Sequence, residues 1–304
     1  METREKTLIV IVGPTAVGKT DLAISVAKKL KTEIISADSR QFFREMEIGT
    51  AKPSASALEE VPHHFINSHS ITEQYDAAQF SIDAHAILLD IFKQKNQCVL
   101  CGGSGLYIKA VCDGFDDIPE IEEDIRKSLT EKFEKNGLTW LQQEMARLDP
   151  EYFEIIDQQN PHRLIRALEV KIGTGKSLSS FFTRKKASHD FKILKIGLEL
   201  PRELLYERID RRMDLMIEAG LFDEARNLLP FRNHQALQTV GYKEIFDYLD
   251  GLYDRDEAIR LLKRNSRRYA KRQLTWFKKD KEFAWFDARD IEQICAYIQE
   301  NIGT

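Results

Sequence analysis

Gly13-Pro14-Thr15-Ala16-Val17-Gly18-Lys19-Thr20 fits the pattern G-x-x-x-x-G-K-[ST], in which a glycine-rich loop holds phosphate oxygens. The apolar run Leu8–Val12 before it predicts a buried strand, and residues 21–30 after it predict an amphipathic helix. The glycines allow a tight turn that directs backbone N–H groups and the helix N-terminus at phosphate, while Lys19 adds a positive charge and Thr20 a hydroxyl group for Mg²⁺. The stretch therefore predicts a phosphate-binding loop, but not which phosphate it holds.

The chain has 304 residues, of which 42% are hydrophobic, enough for one large domain or two modest ones. We expect no membrane contact, because no apolar stretch approaches the length of a membrane span. The charged segment 1–6 runs directly into the first strand, so we expect no signal peptide and a cytoplasmic protein. We also expect it to be a monomer.

Two groups of residues resemble metal ligands at first sight. Cys98 and Cys101 form a C-x-x-C pair, but they lie in an apolar segment and no second pair follows at zinc-finger spacing. This favours strand packing over a metal or redox site. The histidines at 63, 64 and 69 have no partnering thiols, and we interpret them as loop residues with local hydrogen bonds.

The net charge of −4 is unevenly distributed along the chain. Residues 255–281 contain eleven Lys or Arg and three acidic residues, which gives this stretch +8 and leaves −12 for the rest. A basic segment on an acidic body is typical of a surface that binds a polyanion.

Strand and helix patterns alternate over the first part of the chain. Further strands are predicted at 33–38, 97–101 and 192–200, and a helix at 106–111. Strands separated by helices predict a parallel sheet that binds ligands at the carboxyl ends of its strands. Asp38, Ser39 and the turn Gly102–Gly105 should therefore share an edge with the phosphate loop.

Between residues 116 and 190 only helices are predicted, and a second helical region covers 202–302. The predicted fold is α/β: a P-loop NTPase-like parallel sheet flanked by helices, with an all-helical insertion domain. The core domain would comprise 1–115 and 191–304, and the insertion 116–190. Within the insertion, Gly173–Ser177 ends like a phosphate loop, but a helix precedes it, so a helix end and turn is the better interpretation.

Asp38 is the candidate general base. Nucleotide-hydrolysing proteins with this loop commonly hold Mg²⁺ with an acidic residue after a later strand, but here that strand runs into Gly102-Gly103. A carboxylate at the sheet edge beside bound phosphate could instead accept a proton from a nucleophile. The alternative is that Asp38 only makes an Asx-turn or caps a helix.

The predicted helix 202–219 follows the fourth strand and carries Arg208, Arg211 and Arg212 about one turn apart. Arginines that reach a phosphate loop can neutralise charge on a departing diphosphate. The alternative is that they pair on a solvated helix face with nearby acidic residues, namely Glu207, Asp210 and Asp214.

The stretch 267–279 contains six cations, three aromatic residues and no acid. This mixture suits phosphate contacts together with stacking on unpaired bases. A solvated helix with its apolar residues packed inward is a compatible interpretation, because the two faces of a helix differ.

Eight motifs follow one another over nearly the whole chain: Gly13–Thr20, Asp38-Ser39-Arg40-Gln41, Ile48-Gly49-Thr50-Ala51-Lys52-Pro53, Pro62-His63-His64, Gly102-Gly103-Ser104-Gly105-Leu106-Tyr107, Asn160-Pro161-His162-Arg163-Leu164-Ile165-Arg166-Ala167-Leu168-Glu169, Val240-Gly241-Tyr242 and Lys271-Arg272-Gln273-Leu274-Thr275-Trp276. In these motifs and their order the sequence resembles the tRNA dimethylallyltransferase (isopentenyltransferase) family of bacterial type. The resemblance implies transfer of a dimethylallyl group from its diphosphate to the exocyclic amine of the adenosine 3′ of the anticodon. The partners would be dimethylallyl diphosphate and the anticodon stem-loop of tRNA.

The resemblance also implies roles for individual residues. Asp38 would be the base, Gly13–Thr20 would bind the diphosphate, and Lys19, Arg212 and Thr20 with Mg²⁺ would stabilise it as it leaves. The implied tRNA contacts are Asp38, Ser39, Arg40, Gln41, Ser104, Arg126, His162, Arg163, Leu164, Ile165, Arg166, Gln238, Thr239, Val240, Gly241, Tyr242, Lys243, Lys271, Arg272, Gln273, Trp276, Lys278 and Lys279. The loop alone would equally fit a P-loop small-molecule kinase, which leaves the basic and aromatic stretch unexplained.

Overall fold

The structure is a computed structural model that describes residues 5–182 and 187–302. The strands in this part of the chain are β1 (Thr7–Val12), β2 (Ile34–Ser36), β3 (His63–His64), β4 (Gln97–Gly102), β5 (Lys192–Glu199) and β6 (Ala284–Asp287). They form one parallel sheet in the order β3-β2-β4-β1-β5-β6. The helices are α1 (Lys19–Leu30), α2 (Ala55–Glu60), α3 (Ala77–Gln94), α4 (Gly105–Asp113), α5 (Glu123–Leu148), α6 (Pro150–Phe153), α7 (Pro161–Thr174), α8 (Arg202–Glu218), α9 (Leu221–Leu228), α10 (Lys243–Leu249), α11 (Arg255–Phe277) and α12 (Ile291–Asn301).

Strand β1 is the centre of the core. It is buried along its whole length, and its side chains alternate between two apolar clusters. Leu8, Val10 and Val12 join one cluster, while Ile9 and Ile11 join the other. A strand that is covered on both faces needs a continuous apolar run, which explains why residues 8–12 are so clear in the sequence. The parallel sheet flanked by helices confirms the predicted fold class.

Two short edge strands were missed by the sequence analysis. His63 and His64 form β3, which pairs with Ile34 and Ile35, so they are not the loop histidines that we expected. The helical region predicted over 202–302 also contains a strand, because β6 pairs with β5 within it. Strands of two and four half-buried residues carry too few apolar positions to produce a periodic signal.

The chain divides into two compact units, residues 1–113 with 188–304 and residues 114–187. In the second unit, α5 and α7 pack around a core of their own that includes Leu141 and Leu168. Helix α7 begins after Asn160, whose side chain accepts the N–H of Arg163, and ends at Gly175 with φ of 72°. This confirms that Gly173–Ser177 is a helix end and turn.

No helix in the described ranges has both the length and the apolar character that a membrane crossing requires. Cys98 and Cys101 are buried free thiols in β4, as the strand-packing interpretation predicted.

Candidate functional site

The phosphate loop connects β1 to α1 at the carboxyl edge of the sheet. Gly13 has φ of 156°, and a Cβ atom there would come within 2.7 Å of the carbonyl oxygen of Leu198, so the loop can turn only with glycine at this position. Gly18 has φ of 106° and caps the N-terminus of α1. The Nζ of Lys19 donates a hydrogen bond to the carbonyl oxygen of Pro14 at 2.7 Å. The sequence folds locally into the geometry that phosphate binding requires.

Lys19 lies in an electrostatically unusual position. Its pKa is lowered to about 8, mainly by burial; the charge of Arg212 contributes to this shift, whereas Cys101 and Asp38 act in the opposite direction. An ammonium group that is partly removed from water and close to a second cation gains more from an anionic ligand than an exposed lysine does. The neighbouring Thr20 is exposed at the start of α1.

Two of the three predicted arginines of α8 contact the phosphate loop. Arg212 donates from Nη2 to the Oγ1 of Thr15, and Arg208 donates from Nη1 to the carbonyl oxygen of Val17 at 3.3 Å. Burial lowers the pKa of Arg212, and the charge of Asp38 partly offsets this effect. These contacts place guanidinium groups beside the loop, where charge on a diphosphate would lie.

Two acidic residues of α8 form ion pairs with another helix. Asp210 forms an ion pair with Arg267 of α11 at 2.6 Å, and Asp214 forms one with Lys263 at 2.6 Å. Of the three acidic residues that the alternative named, Asp210 and Asp214 are therefore engaged by α11 instead of by the arginines of α8.

Asp38 follows β2 after one intervening residue. Its Oδ1 accepts the N–H of Arg40 at 3.0 Å, so the Asx-turn that was considered as an alternative is present. The same side chain lines a cavity together with Lys19, Arg212 and Tyr269. The turn fixes the direction of the carboxylate, and the cavity gives it access to a ligand, so the two interpretations are compatible.

Two cavities meet at Asp38. The first, of about 90 Å³, is lined by Lys19 and Thr20 of the phosphate loop. The second, of about 80 Å³, is lined by Arg40 and by residues 239–241. Both are lined by Thr15, Asp38, Thr50, Arg212 and Tyr269. A carboxylate at this junction could contact two ligands, one held by the phosphate loop and one entering beside 239–241.

Tyr269 of α11 was not among the predicted site residues. Its pKa is raised to about 12, mainly by burial and in part by the charge of Asp38. Its hydroxyl group is therefore a hydrogen-bond donor at neutral pH. The sequence did contain a signal, because Tyr269 precedes Gln273 by four residues, and positions i and i+4 share a helix face.

Gln273 joins α11 to the phosphate loop. Its Oε1 accepts the N–H of Thr15 at 2.8 Å, and its Nε2 donates to the carbonyl oxygen of Gly103 at 2.9 Å. The side chain is only 7% exposed. The structure therefore gives Gln273 a part in positioning the loop, and its assignment as a tRNA contact stays a prediction.

Four other predicted tRNA contacts also have buried side chains. Tyr242 belongs to the core of the first unit, and Leu164 and Ile165 belong to the core of the second. Their assignments as tRNA contacts stay predictions, and in this structure their side chains pack among apolar neighbours and support the surface around them. Ser104 is also buried, and its Oγ accepts the N–H of Ser39 at 2.8 Å and donates to the Ser39 Oγ at 3.0 Å.

Five predicted contacts of the first unit, of which Gln238, Lys243 and Arg272 are exposed, line one cavity of about 470 Å³. Its lining includes Gln238, Thr239, Val240, Lys243, Arg264, Tyr269 and Arg272. The structure thus brings the 238–243 stretch beside α11. On the same helix Lys271 is exposed and Trp276 is 39% exposed, and Lys279 is exposed just after its end. Lys278 is instead paired with Glu199 at 2.6 Å.

In the second unit, two predicted arginines share one carboxylate. Arg166 lies 3.2 Å from Oε1 of the buried Glu169, and Arg126 lies 3.9 Å from its Oε2. Their side chains are 39% and 62% exposed, respectively. His162 and Arg163 are exposed at the start of α7. These residues form a cationic surface that could contact a polyanion.

Comparisons with known proteins give a consistent result. A family model described as IPP transferase matches residues 41–280. The chain is 51% identical over 297 residues to the tRNA dimethylallyltransferase of Cytophaga hutchinsonii, with 98% of each chain covered. It is 51% identical over 298 residues to that of Christiangramia forsetii, covering 98% of this chain and 99% of the relative.

Solved structures agree with these relatives. The full-length tRNA isopentenylpyrophosphate transferase of Bacillus halodurans matches with a TM-score of 0.73 and 41% identity, covering 98% of this chain and 97% of that one. A eukaryotic dimethylallyltransferase acting on tRNA matches with a TM-score of 0.78 and 26% identity, covering 97% and 77%. The likeness confirms the P-loop NTPase-like fold.

Proposed function

This chain belongs to the IPP transferase family, and from this we propose that it transfers a dimethylallyl group from dimethylallyl diphosphate to the exocyclic amine of the adenosine 3′ of the anticodon in tRNA. The observation that carries the residue assignment is the position of Asp38 at the junction of two cavities. One cavity adjoins the phosphate loop, and the other adjoins a stretch implicated in RNA contact. The relatives support a transferase rather than a small-molecule kinase.

The reaction forms a bond between the adenine nitrogen and C1 of the dimethylallyl group, and it breaks the bond between C1 and the diphosphate oxygen. Asp38 accepts the proton that the nitrogen releases, because an aromatic amine is a weak nucleophile. The diphosphate departs with the electron pair of the broken bond. Lys19, Arg212 and the N–H groups of the loop stabilise the charge that develops on it.

Mg²⁺ fits the chemistry of the residues present. A phosphate-bound Mg²⁺ keeps several waters and needs few protein ligands, and the Thr20 hydroxyl lies beside Lys19 on the lining of the first cavity. Within the described ranges, no group of three His, Cys, Asp or Glu could hold a metal. Thr20 would therefore hold the ion together with the substrate. The ion would neutralise charge on the diphosphate.

For the RNA, we propose that the target base enters from the side of residues 239–241. An unpaired loop base can be extruded at a cost of a few kcal/mol. The cations of α11 and the cationic surface of the second unit would contact the RNA backbone. A monomeric enzyme that acts in the cytoplasm stays a prediction from the sequence.

The direct test uses unmodified tRNA and dimethylallyl diphosphate labelled in the dimethylallyl group, incubated with and without ATP. We expect label in the tRNA without ATP, at the adenosine next to the anticodon. A kinase would require ATP and would leave the tRNA unlabelled. Absence of incorporation under every condition would refute the proposed function.

Replacing Arg272 and Lys279 together with alanine should weaken tRNA binding and reduce the slope of log affinity against log salt by about 1 to 2. Both side chains are exposed. Each phosphate contact that is lost lowers the number of counterions that the RNA releases on binding. The double variant Lys29→Ala, Lys93→Ala removes the same charge from exposed positions elsewhere. If both double variants have the wild-type slope, Arg272 and Lys279 do not face the RNA.

A further inference from the structure

Glu224 of α9 is not among the predicted site residues, yet its carboxylate accepts four hydrogen bonds. Oε2 accepts the N–H groups of Glu47 at 3.0 Å and Ile48 at 2.7 Å. Oε1 accepts the N–H of Gly49 at 2.9 Å and the hydroxyl of Tyr242 at 2.6 Å. Three consecutive backbone donors and one phenol therefore share a single carboxylate, an arrangement that fixes a segment firmly.

The segment held by Glu224 is a wall of the reaction site. A short 3-10 helix, Ile48–Thr50, starts at these donors. Thr50 lines both cavities that meet at Asp38, Ala51 lines the first and Gly49 the second. The Nε2 of Gln41 donates to the carbonyl oxygens of Thr50 and Ala51, at 3.2 Å each. Glu224 thus holds the wall from one side, and Gln41 holds it from the other.

Tyr242 links this wall to the stretch 238–243. A Cβ atom on Gly49 would come within 2.5 Å of the Tyr242 hydroxyl oxygen, so the two residues are packed as closely as glycine allows. Tyr242 is completely buried, and burial raises its pKa, with the charge of Glu224 acting in the same direction. Its hydroxyl group is therefore always protonated and donates to Glu224.

We propose that Glu224 is a positioning residue that sets the distance between the wall 49–51 and the carboxylate of Asp38, and thereby aligns the acceptor adenine for attack. The proposal rests on the proposed function. Glu224 bonds to the backbone of residues 47–49 and to Tyr242 and is not on the lining of either cavity, so it is not a catalytic residue. A misplacement of about 1 Å between reacting groups can cost 10²-fold in rate, which makes a rigid wall effective.

The test variant is Glu224→Gln. The amide keeps the size of the side chain but has one acceptor oxygen, and its NH₂ group would face N–H donors. We expect kcat/KM for an anticodon stem-loop to fall about 10- to 100-fold, the range expected for such a misplacement. The KM for dimethylallyl diphosphate should change less than about twofold, because no group bonded to Glu224 belongs to the loop 13–20.

The matched control is Asp223→Asn, which makes the same carboxylate-to-amide change at the preceding position, where the side chain is 75% exposed. It should retain the kinetic parameters of the wild type. A second variant, Tyr242→Phe, removes one of the four hydrogen bonds and should lower the same RNA parameter about 2- to 12-fold. If a thermal unfolding measurement shows that Glu224→Gln is not folded, Tyr242→Phe becomes the decisive variant.

The outcomes separate the two proposals. If the wild-type enzyme transfers no label to tRNA, the proposed function fails, whatever the variants do. If the wild type is active and Glu224→Gln matches Asp223→Asn, the positioning role is overturned. A rise in the KM for dimethylallyl diphosphate as large as the fall in kcat/KM for the stem-loop would also overturn it, because that pattern indicates general destabilisation.

Discussion

Asp38→Asn should lower the single-turnover rate of dimethylallyl transfer by about 10²- to 10⁴-fold, the range for loss of a general base. Asparagine keeps an oxygen that can accept the N–H of Arg40, so the Asx-turn should survive. Removing the charge while keeping the turn separates the chemical role from the structural one. The affinity for tRNA should remain nearly that of the wild type.

The comparison for this variant is Asp287→Asn. Asp287 also accepts the N–H of the residue two positions later, at 2.9 Å from Arg289, but it lies at the end of β6. It should have the wild-type transfer rate. A single-turnover rate for Asp38→Asn equal to that of Asp287→Asn would mean that Asp38 serves only the turn and that another group accepts the proton.

Lys19→Met should lower kcat/KM for dimethylallyl diphosphate by about 10²- to 10³-fold, comparable to removing one donor that stabilises a developing anion. Methionine has a similar length, so the loss reflects charge more than packing. Lys29→Met, at an exposed position in the last turn of the same helix, provides the control and should have no such effect. Equal kinetic parameters for the two variants would contradict a role of Lys19 in stabilising the leaving group.

The pH dependence gives an independent measurement of the same residue. Since burial lowers the pKa of Lys19 to about 8, the ammonium form predominates below pH 8 and the neutral amine above it. Inorganic diphosphate should therefore bind the wild type more tightly than Lys19→Met at pH 7, and this difference should shrink as the pH rises from 8 to 9.5. Calorimetric titration measures the affinity of both proteins for diphosphate at each pH. The ionisation of diphosphate itself affects both affinities equally and cancels in their ratio. A difference that does not vary with pH would contradict the pKa assigned to Lys19.

Local signals explain what the sequence could predict. The phosphate loop is contained in eight consecutive residues, and the strand and helix that flank it have strong apolar patterns. Asp38 could be placed near the loop because parallel strands end at the same sheet edge. By contrast, β3 and β6 form only because a neighbouring strand offers its free edge, which no short stretch of sequence records.

Resemblance in motifs did not reveal which side chains face outward. Tyr242 and Gln273 stand in stretches expected to contact RNA, but tertiary packing turns both inward. Glu224 carried no signal at all, because its hydrogen-bond partners at 47–49 precede it by more than 170 residues along the chain. A glutamate on a short amphipathic helix is otherwise an ordinary surface residue.

Helix α11 carries two sets of positions with different tolerance to substitution. Its inward edge includes Ala270, Gln273 and Phe277, which are packed or bonded against the sheet and the phosphate loop, whereas Arg268, Lys271 and Arg272 are exposed. A library built to change which RNA the enzyme accepts can therefore randomise the exposed positions while keeping the inward edge constant. Selection on such a library would alter substrate choice without rebuilding the machinery that handles the diphosphate.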